Sequence, residues 1–292
     1  MKFINSCVQL SATDLVGYLN CKHLTALDIS VAEGSLPKPK RWDPLLEILQ
    51  ERGRRHEQGF VDHLKAQGLS VAVIDGVDIT PASVSATQAE IAAGTEIIIQ
   101  GALQHGRWAG RTDVLRRVEK PSNLGDWSYE IIDTKLARET KGGTVLQLCL
   151  YADLLEHAQG IVPEYVYVVA PWSNYEPQQF RFADYAAYFR KAKTAIEAAT
   201  SAEPPPDVYP NPKEHCDICR WRDQCNKRRR DDDHLCLVAS VSTNQIAELK
   251  TQGITTATAL AEMPIPLTWK PARGAAQSYE RVREQARIQI ES

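Results

Sequence analysis

Four groups of polar residues follow one another along the sequence in an order that could build a single catalytic site. Asp133 and Lys135 are two residues apart in a predicted strand, so their side chains point to the same face. Gln147 and Tyr151 are four residues apart in a predicted helix, so they share a face and could hold Lys135 or a DNA backbone. The four groups read GRRHE at 53–57, GRTD at 110–113, IIDTK at 131–135 and QLCLY at 147–151.

The acidic members of these groups are typical of a site for a hard cation. The carboxylates of Asp113 and Asp133, together with the imidazole of His56, would suit Mg²⁺ or Mn²⁺. Such an ion could activate a water molecule and neutralise charge on a phosphate. Lys135 could orient the nucleophile or offset charge that develops during the reaction.

Each group by itself also has a structural explanation. An Asp-x-Lys pair on a strand is commonly a surface ion pair, and a single helical histidine such as His56 is more often structural than a metal ligand. Asp113 could end a turn, and Gln147 and Tyr151 could lie on an ordinary helix surface. The order of the groups along the chain nevertheless favours a shared site.

The hydrophobic periodicity around these groups predicts an α/β fold with a mixed sheet flanked by helices. A capping box at 11–14 begins a short helix, and loops are expected at 37–44 and in the proline-rich connector 201–212. The remaining predicted elements are helices at 45–66, 144–157 and 184–198 and strands at 70–74, 96–103, 108–118, 129–137, 165–170 and 179–182.

Composition limits the class of protein. The 292 residues suit one large domain or two small ones, and 43% hydrophobic with 24% charged residues is typical of soluble globular proteins. No apolar run is long enough to span a bilayer and no signal-peptide pattern is present, so we expect a cytoplasmic protein without membrane association. The net charge of -3 predicts that any nucleic-acid site is a local basic cleft.

The seven cysteines predict a metal centre more readily than disulfides, because an odd number in a reducing compartment argues against a disulfide framework. Cys216, Cys219 and Cys225 have the spacing C-x₂-C-x₅-C, which favours zinc or an iron–sulfur cluster. In a zinc site the fourth ligand could be His215, His23 or His234. Three further cysteines are expected to be small buried hydrophobes, namely Cys7, Cys149 and Cys236.

The C-terminal part of the chain is expected to be a small helical tail. Residues 242–249 and 256–261 predict two short helices around a turn at Gly253, which could be a helix–hairpin–helix DNA-backbone module or an ordinary αα-hairpin. The basic run 227–230 could contact phosphates, although three aspartates follow it and a solvated helix end is equally expected. The stretch 275–291 has no helix stop signal, which favours a fragment of a longer protein or a truncated relative.

The series GxxHE, GRTD, IIDTK and QxxxY, together with the cysteines, resembles the RecB-like branch of the PD-(D/E)XK nucleases over residues 11–235. Relatives in this branch include the RecB and AddB nuclease domains and the CRISPR-associated adaptation exonucleases. Within it, the sequence most resembles the TM-type RecB-like putative nucleases of bacteria. In that group the nuclease unit precedes an RNase H-like domain and often a helicase.

The resemblance implies a restriction-endonuclease-like core and a role for each matching residue. His56, Asp113, Asp133 and the Thr134 carbonyl match the Mg²⁺ or Mn²⁺ ligands. The residues that match the catalytic set are Asp113, Asp133, Lys135, Gln147 and Tyr151. The second acidic position is aspartate where glutamate is commoner, and the family accepts either.

The resemblance also assigns the fourth cysteine. In the iron–sulfur members of this branch, one N-terminal cysteine joins three C-terminal ones around a [4Fe–4S] cluster. This arrangement is matched by Cys21, Cys216, Cys219 and Cys225, with Zn²⁺ as the alternative. The nuclease domain with this cluster would then span residues 1–235, and the helical tail 236–292.

The function implied by the resemblance is metal-dependent hydrolysis of phosphodiester bonds in DNA. The expected enzyme is an exonuclease acting on DNA ends or single strands in repair, recombination or processing, with a helicase or an RNase H-like domain as partner. Two alternatives from other classes stay open. One is a catalytically weak DNA-binding module of a helicase–nuclease system, and the other is a zinc-binding interaction domain.

Overall fold

The computed structural model describes residues 1–4, 7–40, 44–202 and 207–291. The chain forms two compact units, Met1–Asp207 and Val208–Ser292. The predicted loop at 37–44 and the predicted connector at 201–212 lie partly outside the described residues. Cys216, Cys219 and Cys225 lie in the second unit, and the predicted end of the nuclease domain at residue 235 stays a prediction.

Helices and strands follow one another throughout the first unit. Its helices are α1 (Ala12–Asn20), α2 (Lys22–Ala32), α3 (Pro44–Ala66), α4 (Pro81–Ala93), α5 (Gly142–Gln159) and α6 (Phe182–Ser201). Its strands are β1 (Lys2–Ile4), β2 (Cys7–Gln9), β3 (Val71–Val73), β4 (Ile97–His105), β5 (Trp108–Val118), β6 (Ser128–Thr134), β7 (Tyr165–Val169) and β8 (Gln178–Arg181). Across the ranges that the structure describes, no helix is long and apolar enough to cross a bilayer.

Strands β3 to β8 form one six-stranded sheet whose spatial order is the same as their order in the chain. The pairs β3–β4 and β6–β7 are parallel, and the other three pairs are antiparallel. The predicted α/β fold with a mixed sheet flanked by helices is therefore confirmed. Strands β1 and β2 form a separate two-stranded antiparallel sheet.

The central strand β6 is buried on both faces of the sheet. Ile131 belongs to a hydrophobic core that includes the apolar residues of α5, whereas Ile132 packs with Phe60 and Leu64 of α3. Because successive side chains of a strand point to opposite faces, α3 and α5 cover opposite faces of the sheet. Asp133 extends from this buried strand on the same face as Ile131, and the fold thus carries a carboxylate into the protein interior.

Helices α2 and α4 have no counterpart among the elements predicted from the sequence. Helix α4 begins with a capping box formed by Thr80 and Ser83, and Pro81 occupies its first turn. These signals are typical of a helix start. The buried face of α4 consists of Ser83, Thr87 and Ile91. Because only Ile91 on this face is a large apolar residue, the sequence of the helix shows little hydrophobic periodicity.

Two of the three cysteines predicted to be buried hydrophobes are not buried. Cys149 in α5 is fully buried, as expected, but Cys7 is exposed and Cys236 is half-buried. Cys7 lies in the short strand β2, where only Val8 is buried. Alternation along the strand turns the Cys7 side chain away from the face that Val8 uses.

The second unit is helical and has its own hydrophobic core. A 3₁₀ helix (Glu214–Asp217) contains Cys216, α7 (Arg222–Asp231) contains Cys225, and Cys219 lies between the two helices. A second short 3₁₀ helix (Leu235–Leu237) follows. The tail then consists of α8 (Thr243–Thr251), α9 (Ala257–Ala261) and α10 (Ala276–Glu291). The turn between α8 and α9 contains Gly253 with φ 79°, so the predicted pair of short helices around a glycine is confirmed.

Candidate functional site

The antiparallel pairing of β5 and β6 brings Asp113 to the end of β6. Asp113 Oδ2 accepts hydrogen bonds from the Thr134 backbone N–H at 2.7 Å and from Thr134 Oγ1 at 2.9 Å. The predicted metal-ligand role of Thr134 concerns its backbone carbonyl, which these bonds leave unused. Asp113 is therefore not the end of a simple turn but a side chain held against the neighbouring strand.

Asp133 and Lys135 meet on one face, as their spacing predicts. Lys135 Nζ lies 2.7 Å from Asp133 Oδ2, and the Asp133 side chain is 1% exposed. Oδ1 of Asp133 is buried and accepts no hydrogen bond from any described residue. A buried carboxylate oxygen without a donor is costly, which makes it a candidate ligand for a cation.

The electrostatics of this pair reflect burial and neighbouring charge. Burial raises the pKa of Asp133 to about 7, Asp113 adds to the rise, and the Lys135 ammonium opposes it. Burial works against the charged form of Lys135, but the attraction of Asp133 and Asp113 outweighs it and raises the pKa of Lys135 overall. Lys135 therefore stays a cation at neutral pH.

His56 reaches the same edge of the sheet from helix α3. Its Nε2 lies 3.0 Å from the Val169 backbone carbonyl, which also accepts the Lys135 backbone N–H at 3.1 Å. Because a carbonyl can only accept, Nε2 donates to it, which leaves Nδ1 as the ring nitrogen that could bind a cation. A histidine that donates to a backbone carbonyl through its other nitrogen is typical of metal ligands.

Two residues near this site were given no role in the sequence-based prediction. Glu57 follows His56 on α3, and its carboxylate Oε1 accepts a hydrogen bond from the side-chain amide of Gln100 on β4. Burial raises the pKa of Glu57, and the charge of Asp113 raises it further, which places a third carboxylate near the other two. Glu57 is the last residue of the motif GRRHE, which could have pointed to it, whereas no local signal pointed to Gln100.

Gln147 and Tyr151 face the site from α5 and contact each other. Gln147 Nε2 donates to Tyr151 OH over 3.0 Å, as their helical spacing predicts. Burial raises the pKa of Tyr151, and the charge of Asp133 contributes to the rise. The Tyr151 ring packs directly over Gly110 of β5. The hydrogen bond to Tyr151 thus fixes the direction of the Gln147 side chain. A direct hydrogen bond from either residue to Lys135 stays a prediction.

The donors of this site fit a hard divalent cation in their chemistry. They combine the carboxylates of Asp113 and Asp133, the unbonded Asp133 Oδ1 and an imidazole lone pair on His56. As the side chains lie, however, no three His, Cys, Asp or Glu groups in the described parts of the chain converge closely enough to hold a metal ion. The metal-ligand roles of these residues therefore stay a prediction.

The sequence model of the PD-(D/E)XK nuclease superfamily matches residues 31–226, which is more than half of the chain. The chain belongs to the PD-(D/E)XK nuclease superfamily. Membership implies a nuclease that hydrolyses phosphodiester bonds, and nucleases of this superfamily typically use divalent metal ions. Asp113, Asp133 and Lys135 lie within the matched residues. This places the acidic pair and its lysine in a nuclease domain.

The similarity of this chain to solved structures is distant. The crystal structure of SSO0001 is similar to this chain at 16% sequence identity, covering 77% of this chain and 88% of that chain, with a TM-score of 0.31. That similarity is too low to transfer any function. No curated protein sequence matches the chain.

The cysteine segment of the second unit forms a compact turn around Cys216. Cys216 Sγ accepts the Lys213 backbone N–H at 3.4 Å and Arg229 Nη2 at 3.6 Å. Cys225 is buried and Cys219 is half-buried. Cys21 lies between α1 and α2 in the first unit. No three thiols among the described residues form a group that could hold a metal, so the four-cysteine site stays a prediction.

Substitution of Gly110 by alanine should destabilise the first unit, because its Cβ would lie 2.5 Å from Tyr151 Cε1 and 2.9 Å from Cδ1. Overpacking of this kind typically costs about 1–3 kcal/mol. Urea unfolding of Gly110→Ala measures the loss. Gly142→Ala is the matched control, because a Cβ at Gly142 meets no atom within 4 Å. Equal stability of Gly110→Ala and wild type would mean that the Tyr151 ring moves freely.

Proposed function

We propose that this chain is a metal-dependent deoxyribonuclease that hydrolyses phosphodiester bonds at DNA ends or in single strands. One observation carries the proposal. The buried Asp133 carboxylate has an oxygen without a hydrogen-bond donor, beside Lys135 and close to Asp113 on the adjoining strand. A surface ion pair would expose both partners and would need no buried carboxylate.

In the proposed site, Asp113, Asp133, His56 and the Thr134 carbonyl would hold Mg²⁺ or Mn²⁺. Such an ion, when bound, supplies Lewis-acid polarisation of a phosphate and lowers the pKa of a water molecule. Within this arrangement the two carboxylates provide the negative charge, and the Nε2–H bond to Val169 orients the His56 ring.

Lys135 has a separate role in the proposal. Its ammonium is held by Asp133 at 2.7 Å, and its side chain is 31% exposed, so a phosphate could approach it from solvent. A fixed positive charge stabilises the extra negative charge of a phosphoryl transition state. Tyr151 and Gln147 would hold the α5 side of the site in place around this pair.

We propose that the second cofactor is a [4Fe–4S] cluster held by Cys21, Cys216, Cys219 and Cys225. The support is local to the second unit. The buried Arg229 guanidinium donates to Cys216 Sγ, to the Pro210 carbonyl and to Asn226 Oδ1, and the Lys213 backbone N–H also donates to Cys216 Sγ. Hydrogen bonds directed at a sulfur from the surrounding protein are typical of sulfur ligands in metal sites.

The zinc alternative needs a histidine ligand, and His234 is poorly placed for that role. His234 Nδ1 accepts the Cys236 backbone N–H at 3.2 Å, and Nε2 lies 3.1 Å from Lys250 Nζ. Both ring nitrogens therefore already contact protein groups. This favours the cluster over a zinc site completed by His234. A zinc site completed by His215 or His23 stays an alternative.

The proposed function is tested by incubating end-labelled single-stranded and double-stranded DNA with the purified protein and Mn²⁺. We expect cleavage in Mn²⁺ or Mg²⁺ and none after chelation with EDTA. Asp113→Asn should be inactive in the same assay. Cleavage at the full rate in EDTA would contradict the metal mechanism. Retention of DNA without any cleavage would favour the catalytically weak DNA-binding module instead.

The physiological setting is also a proposal. A role in DNA repair, recombination or processing, with a helicase or an RNase H-like domain as partner, rests on the RecB-like motif series alone. Visible colour and bound iron in the purified protein would distinguish a nuclease that contains an iron–sulfur cluster from a zinc-binding interaction domain.

A further inference from the structure

Gln100 has a backbone conformation that its sequence does not predict. It lies within strand β4 with φ 56°, in the left-handed region. The β4–β5 pairing continues on both sides of it, with Ile99 opposite Val114 and Gly101 opposite Thr112. A glutamine in this conformation is strained, so the surrounding structure must hold it there.

Arg111 of β5 provides the contact that stabilises this conformation. Its Nη1 donates to the Gln100 carbonyl at 2.7 Å and to the Ile74 carbonyl at 3.2 Å, and its Nη2 donates to the Asp78 carbonyl at 2.9 Å. One guanidinium therefore joins β4 to the segment that follows β3. The hydrogen bond from Arg111 gives the Gln100 carbonyl a partner. Gln100 itself has no partner in the β4–β5 ladder.

The consequence of the strained backbone is the direction of the Gln100 side chain. Its amide donates to Glu57 Oε1, across 43 residues of sequence. Glu57 is half-buried and directly follows His56 on α3, and Gln100 lies between the pairs Ile99–Val114 and Gly101–Thr112, which places it opposite Asp113 of β5. Strained residues that point at such groups are typical of functional sites.

We propose that Gln100 is a positioning residue of the cleavage site, whose left-handed backbone holds the Glu57 carboxylate towards Asp113 and Lys135. This inference rests on the proposed metal-dependent function. With Glu57 fixed, a third carboxylate adds to the negative field of Asp113 and Asp133, which strengthens the binding of a divalent cation. Gln100 acts through Glu57 and contacts neither the cation nor DNA.

The alternative is that Gln100 is a structural link between β4 and α3. The two roles predict opposite effects of Gln100→Gly. Glycine adopts φ 56° without strain, so a positioning role predicts an unchanged or higher melting temperature together with weaker metal binding. A structural role predicts a lower melting temperature and an unchanged Mn²⁺ affinity, because the hydrogen bond to Glu57, which is lost in either case, would then serve only to join β4 to α3.

The experiment measures Mn²⁺ affinity of the full chain by titration calorimetry, together with thermal melting. We expect Gln100→Gly to raise the Kd for Mn²⁺ by about 10–100-fold, the usual effect of losing a residue that orients a metal ligand. Glu57→Gln should show a similar loss. The double variant should lose no more than Glu57→Gln alone, because Gln100 acts only through Glu57.

Gln104→Gly is the matched control. Gln104 lies on the same strand with an exposed side chain and ordinary pairing to Ala109. It should lower the melting temperature slightly and leave the Mn²⁺ affinity unchanged. Gln100→Asn provides a second test, because asparagine tolerates the left-handed region but its amide is one methylene shorter; we expect it to fold normally and bind Mn²⁺ weakly.

Three results would overturn the proposal. They are a Gln100→Gly variant with wild-type Mn²⁺ affinity, a Gln100→Gly variant that no longer folds, and equal losses from Gln100→Gly in the wild-type and Glu57→Gln backgrounds. Mn²⁺ affinity is measured without cleavage. A wild-type protein that binds Mn²⁺ but leaves DNA intact therefore contradicts the proposed nuclease function alone, and one that binds no Mn²⁺ contradicts both.

Discussion

Replacement of Lys135 by alanine should reduce the rate of DNA cleavage by about 10²–10³-fold and leave the protein folded. The loss is that expected when one preorganised group that stabilises transition-state charge is removed. Asp133 would then lose the ammonium at 2.7 Å from its Oδ2. Because burial already raises the pKa of Asp133 to about 7, the carboxyl can take up a proton instead of remaining a buried, unpaired anion.

The measurement is the single-turnover rate on end-labelled DNA at saturating protein, with circular dichroism as the check on folding. Lys191→Ala is the control, because Lys191 is an exposed residue of α6 and lies outside the proposed site. It should cleave at the wild-type rate. A Lys135→Ala variant that cuts DNA within a few-fold of wild type would show that Lys135 is not catalytic, and one that is unfolded would show that Lys135 is structural.

Substitution of Cys219 by serine should destabilise the whole nuclease domain and remove bound iron. Under the proposed cluster, Cys21 and Cys216 are joined across nearly the entire domain. A cross-link over so long a loop lowers the conformational entropy of the unfolded chain. By the chain-entropy model, this stabilises the folded state by on the order of 5 kcal/mol. Typical domains are stable by only about 5–15 kcal/mol, so its loss could unfold the chain.

The expected product is a colourless, poorly soluble protein without nuclease activity, although none of the catalytic side chains contacts the cluster. Iron content, visible absorbance and melting temperature are the measurements. Cys7→Ser is the matched control, because Cys7 is exposed and lies outside the predicted ligand set. A Cys219→Ser protein with unchanged iron and melting temperature would show that these cysteines do not link the ends of the domain.

Local signals in the sequence were sufficient for the elements that carry the candidate site. The predicted strand 108–118 has the bounds of β5, and the predicted helix 144–157 lies inside α5. The strand predicted at 129–137 ends earlier, at Thr134, so Lys135 lies one residue beyond β6. Its backbone N–H still bonds to Val169, which keeps the side chain on the face of Asp133.

Helices α2 and α4, which were not predicted from the sequence, have a weak pattern of apolar residues. Helix α4 buries Ser83, Thr87 and Ile91, so its stability depends on caps and on packing against β4 more than on periodicity. Cys7 and Cys236 show the reverse error, because the preference of cysteine for burial does not say which position of a strand or turn faces a core.

By itself, the sequence determined the α/β class, the elements that carry the candidate site and the shared face of Asp133 and Lys135, because these depend on periodicities of two and 3.6 residues. The tertiary structure decided the rest. Burial of Asp133, the bonds from Thr134 to Asp113 and the contact of Gln100 with Glu57 all depend on strand register and on how α3 lies across the sheet. Such contacts join residues far apart in the chain, so no local pattern contains them, and the left-handed backbone of Gln100 opposes the extended conformation that its neighbours favour.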